Sequence, residues 1–236
     1  MKKRFLYILI LAALVGAVFY GNRNAFNKPS SAYAVGDLTV DWGIVGNVGP
    51  IFTIPNMAPG DVEERDVDVS NSAASARPIG VRGIMTGGQA TFSAALKIVI
   101  SEGGPDLYGG ASGTGEKTLS DFFADSSGPD GIPLSTLGPG DTTTYTFKVT
   151  FDENSGNEFQ NLSVVFDLKI GIAIAVPAEC EEIEFDLVDG LPIFGTDGND
   201  RINGTHGNDL IFGLEGNDRI FGFGGDDCLV GNEGDD

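Results

Sequence analysis

Residues 195–236 read GTDGNDRIN, GTHGNDLIF, GLEGNDRIF, GFGGDDCLV and GNEGDD, which are four nine-residue units and an incomplete fifth. The first and fourth places are always glycine, the sixth is always aspartate, and the eighth is isoleucine or leucine in each complete unit. Glycine permits the positive φ of a sharp turn, and an aliphatic residue whose neighbours point the other way is typical of a short strand. The period therefore predicts a stack of turns and short parallel strands, with two units in each coil.

Stacked turns of this composition offer oxygen ligands to a hard cation. In a two-unit coil, turns one, three and five lie along one edge and turns two and four along the other, which gives up to three sites between stacked turns. Calcium takes about 6–8 oxygens, which aspartate carboxylates and turn carbonyls can supply. The residues predicted to form these sites are Asp200, Asp209, Asp218, Asp227 and Asp236, with the turn glycines Gly195, Gly198, Gly204, Gly207, Gly213, Gly216, Gly222, Gly225, Gly231 and Gly234.

The segment resembles the RTX family of calcium-binding nonapeptide repeats, which implies a calcium-bound parallel β-roll. It departs from that family at the second place of each unit, where the family has glycine. The residues found there are Thr196, Thr205, Leu214, Phe223 and Asn232. We expect this change to weaken individual sites or to bend the turns. The fifth unit stops at Asp236 without a strand, so we expect either a truncated array or a natural chain that continues with more repeats.

The charge is concentrated in the same part of the chain. The net charge is −20, and residues 179–236 carry sixteen acidic residues against the two bases Arg201 and Arg219. Such a field repels nucleic acid and anionic membranes, and it opposes compaction unless cations neutralise it. Calcium ions are therefore the expected partners, and nucleic acid is not. A solvated acidic tail is the alternative, although regular spacing argues against it.

Residues 1–34 are typical of a secretory signal peptide. Lys2, Lys3 and Arg4 precede an uncharged run over 5–20, and cleavage after Ala25 or after Ala34 fits the sequence. We therefore expect a secreted, extracellular or cell-surface protein. An uncleaved N-terminal anchor is the alternative, and it would be the one contact with a membrane.

The two cysteines, Cys180 and Cys228, are predicted to form a disulfide, since an exported chain meets an oxidising compartment. Two unrelated thiols are the alternative.

Residues 177–194 join two parts of the chain. Within them Ile183, Phe185 and Leu187 alternate with acidic residues, which predicts a strand that caps the first coil.

Residues 36–176 are predicted to form an antiparallel β-sandwich of the jelly-roll or immunoglobulin-like kind, so the expected fold class is all-β. Glycine, proline, asparagine and aspartate clusters separate the segments rich in β-forming residues. The predicted strands are 38–45, 62–69, 79–85, 94–100, 142–151 and 162–176. One short helix is expected over 118–125, with Thr118 or Ser120 as its N-cap.

Two stretches of this domain are similar to the TasA and camelysin family of secreted matrix proteins: NMAPGDVEERDVDVSN over 56–71 and NSGNEFQNLSVVFDLKI over 154–170. The Ala25-Phe26-Asn27 triplet also resembles that family's cleavage region. The resemblance implies a jelly-roll-like sandwich that serves as a matrix subunit. It also implies association with other matrix proteins or self-association into fibres, through an N-terminal strand lent to a neighbour. An unrelated immunoglobulin-like sandwich with Pro-Gly-Asp turns is the alternative.

No catalytic constellation accompanies these patterns. The chain has one histidine, His206, whereas a zinc peptidase site needs at least two such ligands, and no nucleophile elbow, phosphate loop or dinucleotide fingerprint occurs. We expect a secreted, calcium-binding structural or biofilm-matrix protein that is not an enzyme. The alternatives are an exported RTX-type hydrolase or toxin fragment and a camelysin-like metallopeptidase.

Overall fold

The computed structural model describes residues 37–43, 50–187 and 191–236, so the predicted signal segment lies outside the described residues. Strands dominate, and the all-β prediction is confirmed. Two antiparallel sheets form the first part, with the orders β1-β3-β8-β5-β6 and β2-β9-β4-β7. Their strands are β1 (Leu38–Asp41), β2 (Phe52–Pro55), β3 (Val62–Asn71), β4 (Arg77–Gly88), β5 (Leu96–Glu102), β6 (Asp106–Tyr108), β7 (Ile132–Leu137), β8 (Thr142–Phe151) and β9 (Ser163–Ile172).

Alternation of residue type explains why these segments pair as a sandwich. In β8 the apolar residues Tyr145, Phe147, Val149 and Phe151 are buried, and the residues between them face outward. In β9 every residue from Phe166 to Ile172 is buried, and its apolar side chains belong to the same hydrophobic core as those of β8. A strand with one apolar face gains stability only when that face is covered, so two such sheets pack together.

The strands that the sequence did not predict are β2, β6 and β7. Two of them, β2 and β7, are edge strands that contain Pro55 and Pro133. Proline lacks an N–H and is tolerated at a sheet edge, where it also obscures the strand pattern. The predicted segment 38–45 ends as a strand at Asp41, and residues 44–45 lie outside the described part.

Two short helices lie between strands of the sandwich, α1 (Ala90–Ser93) and α2 (Leu119–Asp125). The second is the predicted helix, and Thr118 is its N-cap rather than Ser120. The Thr118 hydroxyl accepts a hydrogen bond from the Asp121 N–H at 3.1 Å, and the Asp121 carboxylate accepts one from the Thr118 N–H at 2.8 Å. This reciprocal pair satisfies two N–H groups that the first turn leaves free.

The C-terminal part is a parallel roll of five strands. They are β10 (Ile193–Phe194), β11 (Arg201–Asn203), β12 (Leu210–Glu215), β13 (Arg219–Phe221) and β14 (Cys228–Glu233). One sheet has the order β10-β12-β14, and the other pairs β11 with β13. Partners are eighteen residues apart, as in Ile211 with Leu229 and Arg201 with Arg219, so each coil holds two units as the period predicts.

The predicted capping strand is wrong. Residues 183–187 have no regular strand, and β10 is the first strand of its sheet instead. Three hydrogen bonds join the segment to Asn208: the Asp186 N–H donates to the Asn208 carbonyl at 2.8 Å, the Asn208 N–H donates to the Asp186 carboxylate at 3.1 Å, and the Asn208 side chain donates to the Glu184 carbonyl at 3.0 Å. Its apolar residues still pack against the core, so the alternation predicted a buried face but not a sheet partner.

The two sheets of the roll have different outer faces. In β12 the outward-facing Leu210 and Phe212 are buried, and they belong to the same hydrophobic cluster as the sandwich core. In β11 and β13 the outward-facing residues are exposed. One side of the roll is therefore part of the protein interior, and the other is free surface.

Candidate calcium sites

The stacked turns are joined by their sixth-place aspartates. The Asp218 carboxylate accepts a hydrogen bond from the Asp200 N–H at 2.8 Å, Asp227 from the Asp209 N–H at 3.0 Å, and Asp236 from the Asp218 N–H at 2.8 Å. Each bond links a turn to the turn eighteen residues earlier. The chain therefore forms three turn-on-turn junctions, one for each predicted calcium site.

A second set of side chains fixes the register of the same junctions. The side-chain oxygen of Asn199 accepts from the Asn217 N–H at 2.8 Å, that of Asn208 from the Asp226 N–H at 2.8 Å, and that of Asn217 from the Asp235 N–H at 3.0 Å. These fifth-place asparagine side chains hold the backbone of the next stacked turn, beside the sixth-place carboxylates of each junction.

Two of these carboxylates are buried, and a nearby cation would stabilise their charge. Asp209 is 2% exposed and Asp218 is 3% exposed. The Oδ2 atom of Asp218 is buried and has no hydrogen-bond partner among the described residues. An isolated buried carboxylate oxygen is costly, and a hard cation in contact with it removes that cost. The donor set therefore fits calcium.

Backbone carbonyls must supply most of the remaining ligands. Within residues 37–43, 50–187 and 191–236, no three aspartate, glutamate, histidine or cysteine side chains converge as a metal site. Calcium accepts carbonyl oxygens readily, so a site of one or two carboxylates and several turn carbonyls remains consistent with its chemistry.

The turn glycines keep these junctions close. A Cβ at the first place of any unit would meet the sixth-place carboxylate of the same turn. At the fourth place, Gly216 and Gly225 have φ of 117° and 112°, and each lies against the carbonyl of the glycine eighteen residues earlier. A side chain would separate the stacked turns, so glycine is required here by both space and conformation.

The second place divides the turns into two kinds. In turns three, four and five, Leu214, Phe223 and Asn232 adopt φ of 78°, 73° and 75°, the left-handed region in which glycine is unstrained. The turns therefore keep the conformation that glycine would adopt, at a cost of about 1–2 kcal/mol for each non-glycine residue.

Turns one and two use threonine differently. The N–H and hydroxyl of Thr196 donate to Asp200 Oδ2 at 2.7 and 2.9 Å, and the Thr196 hydroxyl accepts from the Gly198 N–H at 3.2 Å. Thr205 repeats this pattern with Asp209 and Gly207. Asp200 and Asp209 thus find donors within their own turns, whereas Asp218, Asp227 and Asp236 reach an earlier turn.

Turn one is also anchored to the sandwich. The Asp197 carboxylate forms an ion pair with Arg77 and accepts from the Ala74 N–H at 2.7 Å and the Ser75 N–H at 3.1 Å. The Arg77 side chain is 7% exposed and also lies 3.5 Å from the Asp37 carboxylate. Sequence reasoning missed this contact. The one sequence feature that could have indicated it is the third place of the repeat, where only unit one has aspartate.

The predicted disulfide is present. Cys180 and Cys228 are bonded with their Cα atoms 6.0 Å apart. Cys228 occupies the seventh place of unit four and points away from the interior of the roll, yet it is 2% exposed because the 177–187 segment covers it.

His206 is exposed on the surface, beside Phe223.

Removing the disulfide should raise the calcium concentration needed to fold the roll. The bond closes a loop with a sequence separation of 48 residues, and a loop of that length restricts the unfolded chain by about 4 kcal/mol. We expect the Cys180→Ser/Cys228→Ser variant to show a higher calcium midpoint in circular dichroism of the full chain. Dithiothreitol should shift wild type to the midpoint of the variant and leave the variant unchanged. Equal midpoints in the oxidised wild type and the variant would contradict this.

Comparison with known proteins gives few matches. No curated protein matches the chain. A solved structure described as "AvmM Catalyzes Macrocyclization in Alchivemycin A Biosynthesis" is 16% identical, with 68% of this chain and 82% of that chain covered and a TM-score of 0.27. Among the described residues, no helix is both long enough and apolar enough to cross a membrane.

The repeats themselves have a clear relative. Residues 193–220 and 203–236 match the family of RTX calcium-binding nonapeptide repeats. The match begins at β10 and covers all the turns described above. Repeats of this family bind calcium and are typical of extracellular proteins. The C-terminal segment is therefore similar, in sequence and in its stacked turns, to the calcium-binding repeats of RTX proteins.

Proposed function

We propose that this protein is a secreted, non-enzymatic, calcium-binding structural protein of a cell surface or biofilm matrix. The observation that carries the proposal is the buried Asp218 carboxylate, whose Oδ2 atom has no hydrogen-bond partner among the described residues. Asp200, Asp209, Asp227 and Asp236, together with the turn glycines, complete three calcium sites. Calcium held there neutralises the acidic roll and stabilises its parallel stack.

Folding of the roll depends on the calcium concentration around the protein, and so on whether it is inside or outside the cell. Ions bind the folded roll and not the unfolded chain, so each site adds about 2.7 kcal/mol when calcium is at 100 times its Kd. At low calcium, mutual repulsion of the acidic residues keeps the repeats loose. At the millimolar calcium of an extracellular medium, the same residues become ligands and the roll closes.

The union of roll and sandwich supports a structural role. Leu210, Phe212 and Leu214 of the roll lie in the same hydrophobic cluster as the sandwich core. The Arg77–Asp197 pair and the disulfide add a polar and a covalent link between the roll and the chain before it. A roll joined in this way transmits its calcium-dependent stability to the sandwich, which a freely tethered secretion module would not do.

The polar groove of the sandwich adds support for a non-enzymatic role. This groove of 390 Å³ is lined by residues that include Lys97 and Lys117. Lys97 pairs with Glu116 at 2.7 Å and Asp152 at 3.0 Å, and Lys117 pairs with Asp125 at 2.7 Å. These pairs raise the pKa of both lysines, and a raised pKa opposes use of a lysine as a general base.

Electron microscopy of the purified full chain tests the structural role. We expect ordered assemblies in millimolar calcium and their loss after a chelator is added. Magnesium at the same concentration is the control, because it demands small octahedral sites and keeps its water ligands. Dispersed monomers in calcium, or peptide or glycoside hydrolysis by the same preparation, would reject the proposal.

A further inference from the structure

The exposed sheet of the roll carries an unusual set of side chains, which we name the arginine face: Arg201, Arg219, Phe221 and Phe223. The first three point outward from β11 and β13, and Phe223 follows in the next turn. Arg201 and Arg219 are directly opposite each other in the register, and they are the two basic residues of the acidic segment 179–236. All four side chains are exposed.

The facing arginines do not stabilise a single chain through ion pairs. Like charges opposite each other on paired strands repel, and neither arginine forms an ion pair with another described residue. The Arg201 guanidinium lies 4.7 Å from the centre of the Phe221 ring. Phe223 is 66% exposed and has a strained φ of 73°, so it contributes strain without burial. Exposed aromatic and arginine side chains together are typical of a binding surface.

A complementary surface lies on the sandwich, which we name the acidic row: Val62, Glu64, Asp66 and Asp68. These alternate residues of β3 share one exposed face. Val62 is 47% exposed. Asp41 lies opposite Asp68 on β1 and extends the negative charge.

Two threonines hold the acidic row in place. The hydroxyls of Thr144 and Thr146 donate to one oxygen each of Asp68 and Asp66, both at 2.6 Å. The second carboxylate oxygen of each aspartate makes no hydrogen bond to another described residue. Carboxylates that are already oriented lose little side-chain entropy when they bind a cationic partner.

We propose that the arginine face of one copy of this chain binds the acidic row of a second copy. Successive row residues are about 6.8 Å apart along the strand, and the two arginines are about 4.8 Å apart across β11 and β13, so each guanidinium can reach its own carboxylate. Phe221 and Phe223 would then add apolar contact beside the ion pairs. The chain thus carries both halves of a contact that combines charge and apolar surface.

The roll offers no equal target for the arginine face. Its sixth-place carboxylates are committed to the calcium junctions, whereas Asp66 and Asp68 lie on β3 and are oriented by threonine hydroxyls. The two surfaces of the contact differ, so the contact is heterologous and leaves one free copy of each surface at the ends of any open array. This inference rests on the proposed structural role and specifies how copies would join.

Exchange of charges between the two surfaces tests the contact. Arg201→Asp/Arg219→Asp makes both surfaces negative, and Asp66→Arg/Asp68→Arg makes both positive. By sedimentation velocity in calcium, we expect each variant alone to associate at least tenfold more weakly than the wild-type full chain. An equimolar mixture should regain association, because each variant then offers the charge that the other lacks. Glu153→Arg/Glu158→Arg, which changes exposed residues outside both surfaces, is the matched control and should associate like wild type.

The outcomes separate this contact from the proposed function. Circular dichroism and calcium titration of every variant establish that it folds, so lost association can be assigned to the surface. Fibres formed by the arginine variant would reject the contact and keep the structural role. A wild type that stays monomeric in calcium would reject both the contact and the structural role. This holds even if the arginine face then binds an anionic polysaccharide. A mixture that stays monomeric would also reject the contact.

Discussion

Replacement of Asp218 by asparagine is expected to abolish two of the three calcium sites. Asp218 belongs to turn three, which stacks on turn one and carries turn five, and its carboxylate accepts from the Asp200 N–H while its own N–H donates to Asp236. The buried Oδ2 atom loses its negative charge in the variant, so the attraction for a cation at both junctions falls. The junction of turns two and four, with Asp209 and Asp227, should remain.

Calorimetric titration of the full chain with calcium measures this effect. We expect three bound ions in wild type, about one in Asp218→Asn, and a weaker calcium-induced rise in β circular dichroism. Asp226→Asn is the matched control, because it removes the same charge at a fifth place where units one to three already have asparagine. Equal stoichiometry in Asp218→Asn and wild type, or an equal loss in the control, would contradict the assignment.

Replacement of Arg77 by methionine is expected to lower the free energy of unfolding by about 1–3 kcal/mol, because it leaves two partly buried carboxylates without their cation. The Arg77 side chain is 7% exposed and pairs with Asp197 and Asp37. Urea unfolding in saturating calcium measures the loss. Arg65→Met is the matched control: its pair with Glu63 is 41% and 39% exposed, and such pairs contribute about 0–1 kcal/mol.

A double variant distinguishes the ion pair from simple packing. Arg77→Met/Asp197→Asn removes the orphaned charge as well as its partner, so we expect it to recover part of the stability that Arg77→Met loses. Full additivity of the two single changes would show that Arg77 acts through packing alone.

The same pair predicts how stability depends on pH. Burial raises the pKa of Asp197, but the Ala74 N–H, the Arg77 guanidinium and Ser75 outweigh it, so the net pKa is lowered. A carboxylate with a lowered folded-state pKa stabilises the protein above its unfolded pKa of about 3.9, and this contribution is lost as pH falls through the folded value. Asp197→Asn should therefore flatten the acid limb of the stability curve.

The sequence by itself determined the roll, because every unit repeats the local chemistry that the turn needs. Gly216 and Gly225 supply a conformation and a close approach, Asp218 supplies a charge, and Ile211 supplies an inward side chain, each within nine residues. The same local character made the cap at Thr118 and the buried face of β8 predictable. Edge strands with Pro55 and Pro133 were not, since proline breaks the pattern while the sheet edge tolerates it.

Only the tertiary structure decided which parts of the repeat face which partner. All five sixth-place aspartates look alike in the sequence. In the structure, Thr196 and Thr205 donate hydrogen bonds to Asp200 and Asp209, whereas the Asp218 carboxylate accepts one from the N–H of Asp200, eighteen residues earlier. Arg77 and Asp197 are 120 residues apart and meet because the sandwich sets one beside the other. The burial of Phe212 and the exposure of Phe221, both at the ninth place of their units, follow from which sheet the sandwich covers. A nine-residue period specifies the turn, and contacts between distant segments specify what each turn meets.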